Sequence, residues 1–107
     1  MGLLLLLLSS GTLQAQSGQP GETWTPRDSD RGWYSITSSA DGSKLAAVVY
    51  NGQIYTSTDS GVTWTARESN RAWISITSSA DGSKLAAVDY SGPDYNGGQI
   101  YTSTDSG

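Results

Sequence analysis

Residues Trp24 to Tyr50 read WTPRDSDRGWYSITSSADGSKLAAVVY, and Trp64 to Tyr90 read WTARESNRAWISITSSADGSKLAAVDY, so one segment is stated twice at an offset of about 40 residues. An identical block, QIYTSTDSG, spans Gln53 to Gly61 and again Gln99 to Gly107, the later copy following a short insertion. A repeat of this length fixes architecture far more tightly than it fixes chemistry.

Inside each copy the local signals are strands and tight turns, with no helical period. Trp33 to Ser38 is rich in β-formers, and Asp41-Gly42 is the pair expected to supply φ > 0 in a two-residue hairpin turn. Lys44 to Tyr50 is almost continuously apolar, the pattern of a strand buried on both faces, and its Ala46 and Ala47 let neighbouring sheets approach closely. Asn51-Gly52 makes the next turn, Gln53 to Thr58 a third strand and Thr63 to Arg67 a short fourth. The second copy repeats the order from Trp73 to Thr104. Four antiparallel strands in about 40 residues make one propeller blade. The fold class is therefore all-β, a partial β-propeller of four-stranded antiparallel blades with about two blades' worth of strands: a lone fourth strand near residues 23–27, a complete blade over 33–67, and three strands over 73–104.

Propellers close with about four to eight blades. The stop after Gly107, inside a turn motif whose first instance runs on to Trp64, favours a fragment of a longer array. The alternative is a homo-oligomeric ring in which the N-terminal strand of one chain completes the triplet of the next. Two blades alone leave open faces and unpaired edges, so residues after Ala15 are not expected to behave as a stable compact monomer.

Large aliphatics are scarce outside the N-terminus and Phe is absent, so Tyr and Trp must supply much of the buried area. The net charge of -4 is spread through turns without acidic or basic runs, which leaves no footprint for nucleic acid or an anionic membrane. With neither Cys nor His, disulfides, Cys/His pairs, Ser-His-Asp triads and the common zinc sites are all excluded. Residues 1–15 have the Leu3 to Leu8 run and a Leu13-Gln14-Ala15 cleavage site of a signal peptide, although no Lys or Arg precedes the leucines, and a truncated or misassigned start is the other reading. The run is too short to span a bilayer. Gly2 does not make a myristoylation site, because Leu6 stands where Ser or Thr is wanted.

The turn between third and fourth strands carries the most specific motif: Ser57-Thr58-Asp59-Ser60-Gly61-Val62-Thr63-Trp64, an S-x-D-x-G-x-x-W pattern. In such a turn Asp59 accepts backbone N–H bonds, Gly61 takes a left-handed conformation and Trp64 buries its ring beneath the loop. Ser103, Asp105 and Gly107 start a second instance, and Ser17 to Trp24 is a degraded one with Gln19 in place of Asp. The pattern resembles the Asp-box (BNR) repeat of sialidases, xyloglucan hydrolases, sortilin-type receptors and photosystem assembly factors, and the resemblance covers residues 16–107. It implies a propeller, with the box a structural hairpin away from any catalytic centre.

Strand parity puts the Asp-Gly turns and the S-x-D-x-G turns on one rim and the other connections on the opposite one. Arg27, Arg31, Arg67 and Arg71 are thereby expected beside Tyr50, Tyr90, Asp94 and Tyr95, a combination suited to carboxylate, phosphate or glycan recognition. The competing reading pairs each Arg with Asp28, Asp30 or Glu68 between blades. Catalysis finds little support: the F/Y-R-I-P element of the resembled sialidases does not occur, the only Glu residues are Glu22 and Glu68, and Asp41, Asp59, Asp81 and Asp105 all fit turns better than a paired-acid cleft. Asp28 to Gly32 echoes an EF-hand start, but Ser39 stands where the bidentate Glu is needed, so no metal and no cofactor is expected. These readings converge on a non-catalytic repeat scaffold or binding module, secreted or on the cell surface, with a glycan or protein ligand, no nucleic acid and no membrane span. The alternative is a fragment of a glycoside hydrolase related to the sialidases or xyloglucanases.

Overall fold

The computed structural model describes residues 23–90 and 97–107. The expected signal segment, residues 1–15, and the candidate ligand contacts Asp94 and Tyr95 lie outside them. The described residues form seven antiparallel strands in one open sheet, without helix: β1 (Trp33–Ser38), β2 (Leu45–Gly52), β3 (Ile54–Ser57), β4 (Thr65–Ala66), β5 (Arg71–Ser78), β6 (Leu85–Asp89) and β7 (Ile100–Ser103). The first repeat is a four-stranded meander, β1-β2-β3-β4, and the second a three-stranded one, β5-β6-β7. A short pairing of Tyr50 with Ala72 and Gly52 with Arg71 joins them.

The seven strands fall where alternation and turn residues put them, with some ends shortened and one end each of β2 and β5 extended by two residues. Asn51 (φ 58°) reverses the chain between Val49 and Gln53, whose backbone groups are bonded at 3.1 Å. β2 nevertheless runs on through this turn because Gly52 pairs with β5. The Asp41-Gly42 turn differs from expectation. Only Gly42 (φ 77°) is left-handed, and the loop is longer than two residues: the Ser39 N–H donates to the Lys44 carbonyl at 2.8 Å. The cause is the Asp41 carboxylate, which accepts from the Ser43 N–H and thereby builds a side-chain turn in place of the backbone one. The strand expected near residues 23–27 is not formed, and these residues are exposed. A fourth strand needs a third-strand edge; that of β3 is taken by β4, and that of β7 lies at the far end of the sheet.

Side-chain alternation gives each repeat two faces. In the first, Trp33, Ile36, Ala47 and Tyr55 share one face, and Ala46, Val48, Ile54 and Thr56 the other. The second face packs on the second repeat's Trp73, Ile76, Leu85 and Ala87, and these apolar residues from both repeats form a single cluster. The junction is tied by polar groups as well. Ser78 Oγ donates to the Ser38 carbonyl at 2.8 Å, and the Ala40 N–H to the Ala80 carbonyl at 2.6 Å. Because only one junction exists among the described residues, equivalent residues differ sharply. Trp73 is 0% exposed and Trp33 36%; Ile76 is 6% exposed and Ile36 62%; Ile54 is 9% exposed and Ile100 74%. The expectation of a strand buried on both faces holds for β2, where Ala46 to Val49 are all buried. In β6 the residues Ala86 and Val88 are only half-buried.

Candidate functional site

The aspartates are spent on turns. Ser57 Oγ and the Thr63 N–H both donate to Asp59 Oδ1 at 2.8 Å, Thr63 Oγ1 donates to Oδ2 at 2.6 Å, and the Gly61 N–H donates back to Ser57 Oγ at 2.9 Å. The Thr63 hydroxyl, its N–H and the Ser57 hydroxyl together hold the Asp59 carboxyl at about 2. Asp41 is likewise held at about 2, first by the Ser43 N–H and then by the Ser39 and Ser43 hydroxyls, and Asp81 lies lower still for the same reasons. In the second repeat Ser103 Oγ donates to Asp105 at 2.7 Å and the Gly107 N–H to Ser103 Oγ at 2.8 Å.

Gly61 sits at φ 91°, a backbone conformation that favours glycine, and a Cβ there would press Leu45 Cδ1 at 3.1 Å. Ser60 before it is also left-handed, at φ 62°. Its N–H donates to the Ser43 carbonyl at 2.9 Å, a bond between the two turns of one rim that offsets the strain; Ser106 and Ser83 repeat it at 2.8 Å. Trp64 donates Nε1–H to the Gly61 carbonyl at 2.9 Å and is half-buried. The Trp at the centre of the packing is Trp73, because Trp64 lies beside Trp33 on the face that no second sheet covers.

Two of the arginines stack on tyrosines of the third strands. Arg31 lies over the Tyr55 ring at 4.6 Å and its Nε donates to Asp28 Oδ2 at 3.4 Å, the competing ion-pair reading realised at this one position among the described residues. Arg71 lies over Tyr101 at 4.6 Å and near Trp73 at 5.9 Å. Tyr55 and Tyr101 stand edge-on to Trp33 and Trp73 respectively, so each repeat holds an Arg-Tyr-Trp set. The Arg67 N–H donates to the Ile54 carbonyl at 2.7 Å, at the end of the strands parity assigns to it. Its side chain turns into the junction, where Nε donates to Thr56 Oγ1 at 3.0 Å. Arg27 runs along the open face, lining with Trp33, Ile36 and Trp64 a groove of about 310 Å³.

Tyr50 lies at the Asn51 end of β2, exposed and stacked on Tyr34 with ring centroids 4.9 Å apart and planes inclined by 21°. Tyr90 is also exposed and donates its N–H to the Ala72 carbonyl at 2.9 Å. Tyr34, Tyr55 and Tyr101 were not singled out from the sequence. The alternation of QIYTS, which turns its Tyr to the sheet face that carries the Trp, was the available signal for the last two, while Tyr34 lies at a register shift that no pattern announces. Among the described residues no group of His, Cys, Asp or Glu could hold a metal ion, and no helix is long and apolar enough to cross a membrane. Comparison of the chain with protein families, curated proteins and solved structures found no match.

Proposed function

We propose that the chain is an Asp-box β-propeller segment acting as a non-catalytic, secreted or surface-exposed scaffold that binds a glycan or protein at the rim bearing Tyr34 and Tyr50. The stacked, exposed pair carries the reading: two phenol rings held 4.9 Å apart offer an apolar platform with hydroxyl groups at its margin, and apolar body with polar tip is what suits Tyr to recognition surfaces. Two further features favour a scaffold over a hydrolase. The first repeat is a four-stranded meander stacked on the next. In addition, a glycosidase acid needs a raised pKa, whereas Asp41, Asp59 and Asp81 are held low by donors that already occupy them.

The test is titration with neutral and acidic oligosaccharides, followed by intrinsic fluorescence, using wild type, Tyr34→Ala and Tyr50→Ala. Saturable binding that either substitution abolishes without shifting the melt is expected. Binding indifferent to both substitutions would remove the rim from consideration.

A further inference from the structure

We infer that the two open faces of this chain dock on each other between molecules: the Trp33/Ile36 face of one copy packs on the Ala86/Val88/Ile100 face of a second copy, head to tail. The occupied junction inside the chain is the template. There the first repeat offers Ala46, Val48, Ile54 and Thr56, and the second covers them with Trp73, Ile76, Leu85 and Ala87. The open face of the second repeat presents the same residue types, as Ala86, Val88, Ile100 and Thr102. The open face of the first presents Trp33 and Ile36, with Leu45 half-buried and Ala47 buried behind them within the same repeat. Every side chain of the covered junction thus has an identical counterpart on an uncovered face, and the two uncovered faces are opposite halves of one contact.

The polar ties extend by the same equivalence. Ser35 to Val48 and Ser75 to Val88 are identical in sequence, so Ser38 of the second copy stands to the Ser78 carbonyl as Ser78 stands to that of Ser38. Arg27 of the second copy meets Thr102 as Arg67 meets Thr56. The edge of β7 and the strand missing over residues 23–27 complete each other as well: Thr25 of the second copy takes the place opposite Thr102 that Thr65 holds opposite Thr56. One docking movement therefore covers two apolar faces and pairs an unpaired strand edge, the exposure that isolated sheets must avoid.

The contact is heterologous, so it propagates from copy to copy, into a ring where the rotation closes and a filament where it does not. The count of chains at closure, about two to four for a ring of four to eight repeats, rests on the propeller reading; the contact itself does not.

Light scattering coupled to size exclusion is the test, applied to wild type, Ile36→Lys and Ile100→Lys. Each substitution loads a charge onto one open face at a position exposed within the single chain, and circular dichroism confirms that both variants keep the β-fold. Wild type is expected to assemble and each variant alone to run as a monomer. Mixed together, the two variants should stop at a one-to-one dimer, because each retains the face the other has lost. A monomeric wild type, variants that assemble like wild type, or a mixture that forms no dimer or grows beyond it overturns the inference. A monomer in which the lone thiol of Ile36→Cys resists labelling also overturns it, by placing another part of the same chain on that face.

Discussion

Ile36 and Ile76 occupy the same place in two repeats, stand in the same heptapeptide WYSITSS or WISITSS save one residue, and pair with equivalent alanines, Ala47 and Ala87. One is exposed and the other is core. Local sequence here decides which way a side chain faces, while position in the array decides whether anything covers it. Burial in a stacked repeat belongs to the pair of neighbours, as expected when stability is a sum of unit and interface terms.

The comparison is broken most directly with the two tryptophans. Trp73 is fully buried, donates Nε1–H to the Ser69 carbonyl at 3.2 Å and stands edge-on to Tyr101. Trp73→Ala should therefore cost about 3–5 kcal/mol. Trp33 makes the matching contacts with the Ser29 carbonyl and Tyr55, but a third of it stays in water and no closed cavity would be left. Trp33→Ala should cost roughly half as much. Urea melts at dilute protein concentration measure both; equal losses would mean that the first repeat's open face is covered in the monomer after all.

Gly82 and Gly42 give a smaller effect with a cleaner geometric cause. Their φ angles, 75° and 77°, are nearly the same, so an L-residue meets the same backbone penalty of about 1–2 kcal/mol at each. The surroundings differ. A Cβ on Gly82 would lie 2.9 Å from Lys44 Cβ and 3.2 Å from Ser39 Cβ across the junction, whereas one on Gly42 would meet nothing within 4 Å. Gly82→Ala should exceed Gly42→Ala by about 1–3 kcal/mol of overpacking. Melts of similar depth would show that the junction yields at this corner.

How much of this was open to a reader of the residues follows from the same distinction. Strand order, the Asn51 reversal and the glycine at position 61 are local consequences of alternation and of φ, and all are visible in the string of residues. The Asp41-Gly42 turn was misleading because Ser39 and Ser43 flank it, and their hydroxyl and N–H donors draw the carboxylate into a longer loop. The partners of Arg31 and Arg71 were hidden for a different reason. A register shift after Trp33 and Trp73 carries these strands past the count of residues, and it is the third-strand tyrosines, 24 and 30 residues further on, that meet the guanidinium groups. The choice of which face is covered could not be read at all, since identical residues line the covered and the open ones.

The smallest expected difference between the repeats concerns acid. Asp41 and Asp81 each accept from a serine N–H and two serine hydroxyls within their own turn, and none of these donors comes from the other repeat. Both carboxyls, and that of Asp59, are held below the ordinary value near 3.8. A depressed pKa in the folded state means that the turns contribute their full stability above about pH 4, where the carboxylates are charged whether or not the chain is folded. The contribution falls away as pH drops from about 4 toward the folded-state values, about 2 for Asp41 and Asp59 and lower for Asp81, below which both states are protonated. Thermal melts between pH 5 and pH 2 should therefore show a decline in wild type that is shallower in both Asp41→Asn and Asp81→Asn, and by similar amounts. A decline flattened by only one of the two substitutions would make the turns dependent on the junction, and the separation drawn here between local chemistry and array position would have to be given up for them.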